Sequence, residues 1–173
     1  MLSHYQNGLM ILILKIIMKN KIYFATKNDV PWMMNLSHQK RLEYSYHQPN
    51  FWKMSRDSNK IQHDYFLEQI HKEEILAICY QDNLGFVIGE IISPPGVYDA
   101  GLTLKIDDFC VRSGDLWHSV GLELIEEIKF LAKNKGVKQV LVVSGAHDKL
   151  KNDFLVSQKL GVASQWFVGD SSK

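Results

Sequence analysis

The stretch IDDFCVRSGDLWHSVG, residues 106–121, changes character half-way along. Its opening residues read as a buried strand that carries two adjacent carboxylates, Asp107 and Asp108, and its closing residues begin an apolar helix. Arg112, Ser113, Gly114 and Asp115 supply the turn between them. A strand end and a helix start aimed at one point collect main-chain N–H groups, the positive end of a helix dipole and acidic side chains. That is equipment for holding an anion.

Bulk properties limit what such a site can serve. At 173 residues and 46% hydrophobic content the chain suits one well-packed domain and is short for two. Twenty Lys and Arg against 19 Asp and Glu leave a net charge of +1, which lacks the electrostatic footprint of a nucleic-acid binder. Cys79 and Cys110 each lie in an apolar run and read as reduced core thiols of a cytoplasmic protein, so neither a disulfide framework nor a metal site is expected. The apolar run at residues 9–18 is interrupted by Lys15 and is far shorter than the roughly 20 residues a bilayer span needs. No membrane association is expected, and Met18 reads as an alternative start that makes residues 1–17 an upstream extension of a domain at 18–173.

Working outward, residues 21–26 form a short strand, and Asn28 or Asp29 with Pro31 opens a helix that reaches about Tyr44. Pro49 disfavours a helical Gln48, and a second helix follows over about 58–70. Strands at 74–81 and 84–93 flank an Asp82–Asn83 turn, and 102–111 is the next strand. A long amphipathic helix is expected over 119–134, then a nearly all-apolar strand at 137–143 suited to a central parallel position. A helix at about 149–160, closed by Gly161, and a last strand at 162–168 complete the chain.

That order of elements resembles the GCN5-related N-acetyltransferases, which move an acyl group from coenzyme A to an amine. The likeness covers about residues 21–168. It is sharpened by HQPNFW, YDAGLT, IDDFCV, LWHSVG and VASQWFV, which are similar to corresponding stretches of a bacterial branch of that superfamily. The family's coenzyme signature is degenerate here: counted from Val111, Ser113 stands at its Pro, Leu116 at its Arg or Gln and Ser119 at its first Gly, and Gly121 alone is retained. The resemblance implies an α+β fold with a mixed central sheet, strands 2–4 antiparallel and strands 4–5 parallel, and helices on both faces.

It also implies acetyl-CoA as acyl donor and a small-molecule or peptide amine as acceptor. Leu116, Trp117, His118, Ser119, Val120, Gly121 and Leu122 would then line the pyrophosphate, with Phe109, Cys110 and Val111 offering strand edge to the pantetheine. The catalytic candidates are Asp107 and Asp108. Alternation along a strand separates them onto opposite faces unless a bulge intervenes, so one is expected to face the cleft. Asp107 matches the family's acidic position better, and a structural reading, pairing with Lys105 or Arg112, stands beside the catalytic one. The family's proton-donating Tyr is replaced by Ser157. His147 reads either as a substitute donor or as a turn residue paired with Asp148.

Tyr46, Trp52, Tyr98, Asp99 and Trp166 are the candidates for an acceptor wall, with core packing as the plainer account of the aromatics. Two functions follow: acetyl transfer by direct attack of the amine, or a non-catalytic acyl-CoA-binding or regulatory module. A homodimer through the last strand or the N-terminal extension is the assembly hypothesis.

Overall fold

The computed structural model describes residues 21–171; the expected extension at 1–17 lies outside them. In chain order these residues form β1 (Ile22–Phe24), α1 (Val30–His47), α2 (Ser58–Gln69), β2 (Ile75–Tyr80), β3 (Gly85–Ile92) and β4 (Thr103–Val111). There follow α3 (Leu122–Asn134), β5 (Gln139–Val142) and α4 (Lys149–Ser157). One five-stranded sheet runs β1-β2-β3-β4-β5. All neighbours are antiparallel except β4 and β5, which are parallel, as expected. Asp82 and Asn83 close the β2–β3 turn with φ of 57° and 55°, a conformation Asp and Asn tolerate better than other non-glycine residues.

Helices cover both faces. Strand residues Leu76, Ile78, Val87, Leu104 and Ile106 pack with Leu124, Ile125 and Ile128 of α3 and Phe154 of α4. Ala77, Cys79, Phe86, Ile88 and Cys110 turn the other way, to Val30, Met33 and Leu36 of α1 and Phe66 of α2. Both cysteines are buried free thiols. No helix among the described residues is long and apolar enough to cross a membrane.

The β3–β4 ladder breaks register between Ile88 and Gly89: Ile88 pairs with Asp108 but Gly89 with Ile106, leaving Asp107 as an extra residue on β4. This β-bulge resets the alternation. Leu104 and Ile106 precede it and Phe109 and Val111 follow it, yet all four share the α3/α4 core. Asp108 and Cys110 turn instead toward α1.

Three expectations need correction. The long helix does not begin at Ser119; a 3-10 turn (Gly114–Leu116) and a π turn (Trp117–Gly121) precede α3. The indole of Trp117 lies beneath that turn, where a Cβ on Gly121 would stand 2.8 Å from Trp117 Cε3, and the wide turn accommodates it. The last helix stops at Ser157, with Lys159 at φ 64° ending it before Gly161 is reached. Residues 162–168 form no strand, so β5 lies at the edge of the sheet and not at its centre. A period-two pattern marks the capacity to pair, and these residues instead leave Val162, Trp166 and Phe167 exposed, with Trp166 reaching the ring of Phe51.

Trp117 is 1% exposed, stacks on Phe154 at 5.3 Å and meets Phe109 edge-on at 4.9 Å, so it ties β4, α4 and the start of α3 together. Trp117→Ala is expected to lower stability by about 3–5 kcal/mol, read from urea unfolding. A loss under 1 kcal/mol would contradict this packing role.

Candidate functional site

β4 and β5 stay registered only from Thr103↔Gln139 to Ile106↔Val142, and Val143 N to Ile106 O, 2.9 Å, is the last main-chain bond between them. β4 continues for five more residues to Val111 with its β5-side edge unpaired. The result is a gap between diverging parallel strands, with Phe109, Cys110 and Val111 along one side. Across it stands Lys151, on the first turn of α4. This lysine is 4% exposed; its Nζ donates to the carbonyl of Val143 at 3.0 Å and lies 5.8 Å from the ring centres of Phe109 and Trp117. Burial holds its pKa below the ordinary lysine value.

The bulge places both carboxylates on one side of the sheet, where they line a small pocket with Tyr65, Ile75, Ile88, Glu90 and Lys105. The expectation that only one would face this side rested on unbroken alternation. The two differ in environment. Asp107 is exposed and paired with Lys105 at 2.7 Å. Asp108 is half-buried, accepts from Ser37 Oγ of α1 at 3.5 Å, and has its pKa pushed up to about 6. Burial is the main cause, with the charge of Asp107 adding to it and those of Lys151 and Arg41 opposing. Cys110, fully enclosed, has its thiol pushed up to about 12 by the same burial and is no nucleophile at neutral pH.

Tyr44 of α1 fastens the loop 144–148 beside this site. Its hydroxyl accepts from Gly145 N at 3.1 Å and donates to Asp148 Oδ2 at 3.4 Å. Asp148 in turn caps α4 by accepting from Lys151 N at 3.3 Å. His147 does not pair with Asp148 in a hydrogen bond; its ring packs edge-on against Tyr44 and stacks on His47. Ring contacts then run from Tyr44 to Trp52, Phe51 and Trp166, and from His47 to Tyr46. Of the proposed acceptor wall, Tyr46, Trp52 and Trp166 therefore join one aromatic strip. Tyr98 and Asp99 sit exposed in the β3–β4 connection and make no ring contact with it.

At the helix start, Leu116 is half-buried, His118 and Ser119 are exposed, and no side chain caps either short turn. Trp117, Val120 and Gly121 are buried and Leu122 is packed against the same core, so only their main chain could meet a ligand. Trp117 Nε1 is buried without a hydrogen-bond partner. Ser157 is exposed and its hydroxyl donates to Phe154 O at 2.6 Å, which commits it to its own helix.

No family model and no curated protein matches the chain, whereas solved structures do. The BH1408 protein of Bacillus halodurans, as a tetramutant, superposes with a TM-score of 0.75 at 14% identity over 86% of this chain and 98% of its own. A predicted acetyltransferase of Clostridium acetobutylicum with acetyl-CoA gives 0.67 at 11% identity over 86% and 94%. AAC(6')-Iy, in complex with the bisubstrate analog CoA-S-monomethyl-acetylneamine, gives 0.60 at 11% identity over 87% and 96%. The fold is that of the GCN5-related N-acetyltransferases. Within that fold, sequence reasoning missed Lys151 and Ser37, and read Tyr44 only as one of the aromatics near the acceptor and not as the anchor of the 144–148 loop. A Lys in the first turn of a helix and a Ser on α1 carry no local mark; only tertiary packing buries or aims them.

Because the folded pKa of Asp108 lies above the ordinary carboxylate value, folding favours its protonated form. This contribution is complete below about pH 4 and is lost as pH rises through about 6. Asp108→Asn should therefore be more stable than wild type at pH 7.5, by about 1–3 kcal/mol, with the difference closing by pH 4 in thermal unfolding. Equal stability at both pH values would show that Asp108 is not desolvated.

Proposed function

We propose that the protein is an acyl-CoA-dependent N-acetyltransferase that moves an acetyl group from acetyl-CoA to an amine by direct attack. The observation that carries this reading is the gap between β4 and β5, bounded by an unpaired strand edge and an uncapped helix start, with a half-buried carboxylate on the same strand. Pantetheine is a chain of amides, and the free edge at 109–111 offers main-chain hydrogen bonds of the kind it needs. The helix start after Ser113, with the dipole of the following helix, suits a pyrophosphate without side-chain charge, although the N–H groups of Leu116 and Trp117 are already bonded to Ser113 O and Gly114 O.

In the reaction the amine nitrogen attacks the thioester carbonyl, the C–N bond forms as the C–S bond breaks, and coenzyme A departs as thiolate. Asp108, rather than Asp107, takes the amine proton, directly or through water. Its pKa near 6 keeps it ionised at neutral pH yet makes it a stronger base than an exposed Asp. Lys151, whose lowered pKa eases proton release, gives the proton to the thiolate in place of the family's Tyr. Holding both partners in one cleft supplies the entropic part of the acceleration. The aromatic strip of Trp52, Phe51 and Trp166 favours a cationic or ring-bearing amine in a cytoplasmic setting. Ser157, tied to its own helix, favours the second reading, a module that binds acyl-CoA without turnover.

Titration calorimetry with acetyl-CoA separates these outcomes from a wrong fold-to-function inference. Binding near micromolar, about 8 kcal/mol, that Ser119→Trp abolishes is expected; Ser119 is exposed, so the blocking ring leaves the core intact. An amine screen that reads released thiol should then show kcat/KM rising through about pH 6, a limb that Asp108→Asn removes while lowering kcat by about 10²–10⁴-fold. Binding without turnover for any amine would support the second reading, and no binding would overturn both.

A further inference from the structure

Glu43 and His47 stand four residues apart on α1, one helical turn, and so share a face. His147, a hundred residues later in the loop after β5, stacks its ring on His47 with centroids 4.2 Å apart and planes 20° from parallel. One ligating atom from each of the three residues lies within 4.8 Å of the others. We propose that Glu43, His47 and His147 bind a divalent transition-metal ion of the imidazole-preferring class, with zinc as the reference ion.

The loop side of this set is held in place. Tyr44 grips the loop through Gly145 N and packs its ring against His147 at 4.6 Å. Gly145 lies so close that a Cβ there would stand 2.8 Å from His147 Cε1. His147 Nε2 is buried and has no hydrogen-bond partner. A buried ring nitrogen without a partner is unusual in a folded protein, and a bound cation is one of the few species that would satisfy it. The helix side is open: Glu43 and His47 are exposed, which gives a hydrated ion access, and Glu43 would exchange its ion pair with Lys40 Nζ, 3.1 Å away, for the metal. Adjustment is needed, since tetrahedral zinc with bonds of about 2.0–2.1 Å places its ligands about 3.4 Å apart. Rotation of the Glu43 and His47 side chains, which turns the His47 ring out of its stack on His147, would bring the donors to that spacing. Two imidazoles and one carboxylate fill three positions and leave a fourth for water or an exogenous group, as in zinc sites that are not closed. The ion would clamp the end of α1 to the loop carrying Asp148, and so brace the edge of the cleft without taking part in the proposed transfer.

The test is calorimetric titration of zinc chloride into chelator-treated full-length protein, with cobalt(II) spectra as a second readout. One saturable site is expected, with cobalt bands of low-coordinate histidine ligation and a zinc-dependent rise in Tm. His47→Ala and His147→Ala should each weaken binding by at least about tenfold, since even outer-shell partners of a metal commonly cost 10- to 100-fold. His47 is exposed, so that variant should keep the far-UV spectrum and metal-free Tm of wild type. His63→Ala, which removes a histidine beside Asp64 on α2, should change nothing. Absence of saturable binding, or a site that survives loss of both His47 and His147, would overturn the proposal. The result does not depend on whether acetyl-CoA binds.

Discussion

A single surplus residue in the β3–β4 ladder governs what each face of the sheet presents. Without the bulge at Asp107, strict alternation would place Asp108 and Cys110 in the same layer as Leu104 and Ile106, beneath α3 and α4. Phe109 and Val111 would then face α1. The carboxylate would be desolvated in a layer built of Leu, Ile and Phe, a cost no nearby hydroxyl could offset. The bulge exchanges these roles at one step: aromatic bulk goes to the layer that seats Trp117 and Phe154, and acidity goes to the layer that carries Ser37 and Arg41. Gly89 sits opposite, where a Cβ would come within 2.7 Å of Leu104 Cδ1, so close strand approach at the bulge depends on the missing side chain.

The ionisable groups of the cleft share an economy of partial satisfaction. Asp108 has one long hydrogen bond, Lys151 one carbonyl, and Arg41 an unpartnered Nε beside its contacts to Gln62 and Asn59. None of the three forms a direct ion pair with another, although each feels the others' charge. Fully paired groups would be held in fixed protonation states; groups left short of partners respond to whatever enters. Cys110 and Tyr44 in the same neighbourhood are kept protonated by burial and serve as walls and anchors.

Much of this architecture was legible in the residues themselves. Turn chemistry at Asp82–Asn83 and the helical spacing of Leu124, Ile125 and Ile128 are local, and local signals predicted the order of elements from β1 to the last helix. The bulge was hard to read, because its one mark, the shift of the apolar alternation from Leu104 and Ile106 to Phe109 and Val111, is blurred by the apolar Cys110 between the last two. The depth of Lys151 was equally hidden, since it stands among Lys149, Asn152 and Asp153 and packs against Phe109 and Trp117 across the gap. The 162–168 stretch misled in the opposite sense: its pattern is that of a strand, but a ladder needs an edge aligned with it, and alignment is a property of the chain's path after Lys159. The retained glycine at 121 shows the same limit, since its buried side faces Trp117, whatever its main chain meets.

The two ways in which the sheet is joined also divide it by folding order. β2, β3 and β4 meet through short connections, so their pairing loses little loop-closure entropy. β5 reaches β4 only after the α3 crossover and is held by four registered pairs. Amides of β5 should therefore open by local fluctuation well before those of β2 and β3, in the manner of a separate cooperative unit. The movable wall of the gap is thus the late, weakly protected part of the sheet, and the wall that carries the carboxylates is the early, well-protected part. Loosening β5 would widen the gap while the side that carries Asp107 and Asp108 keeps its geometry.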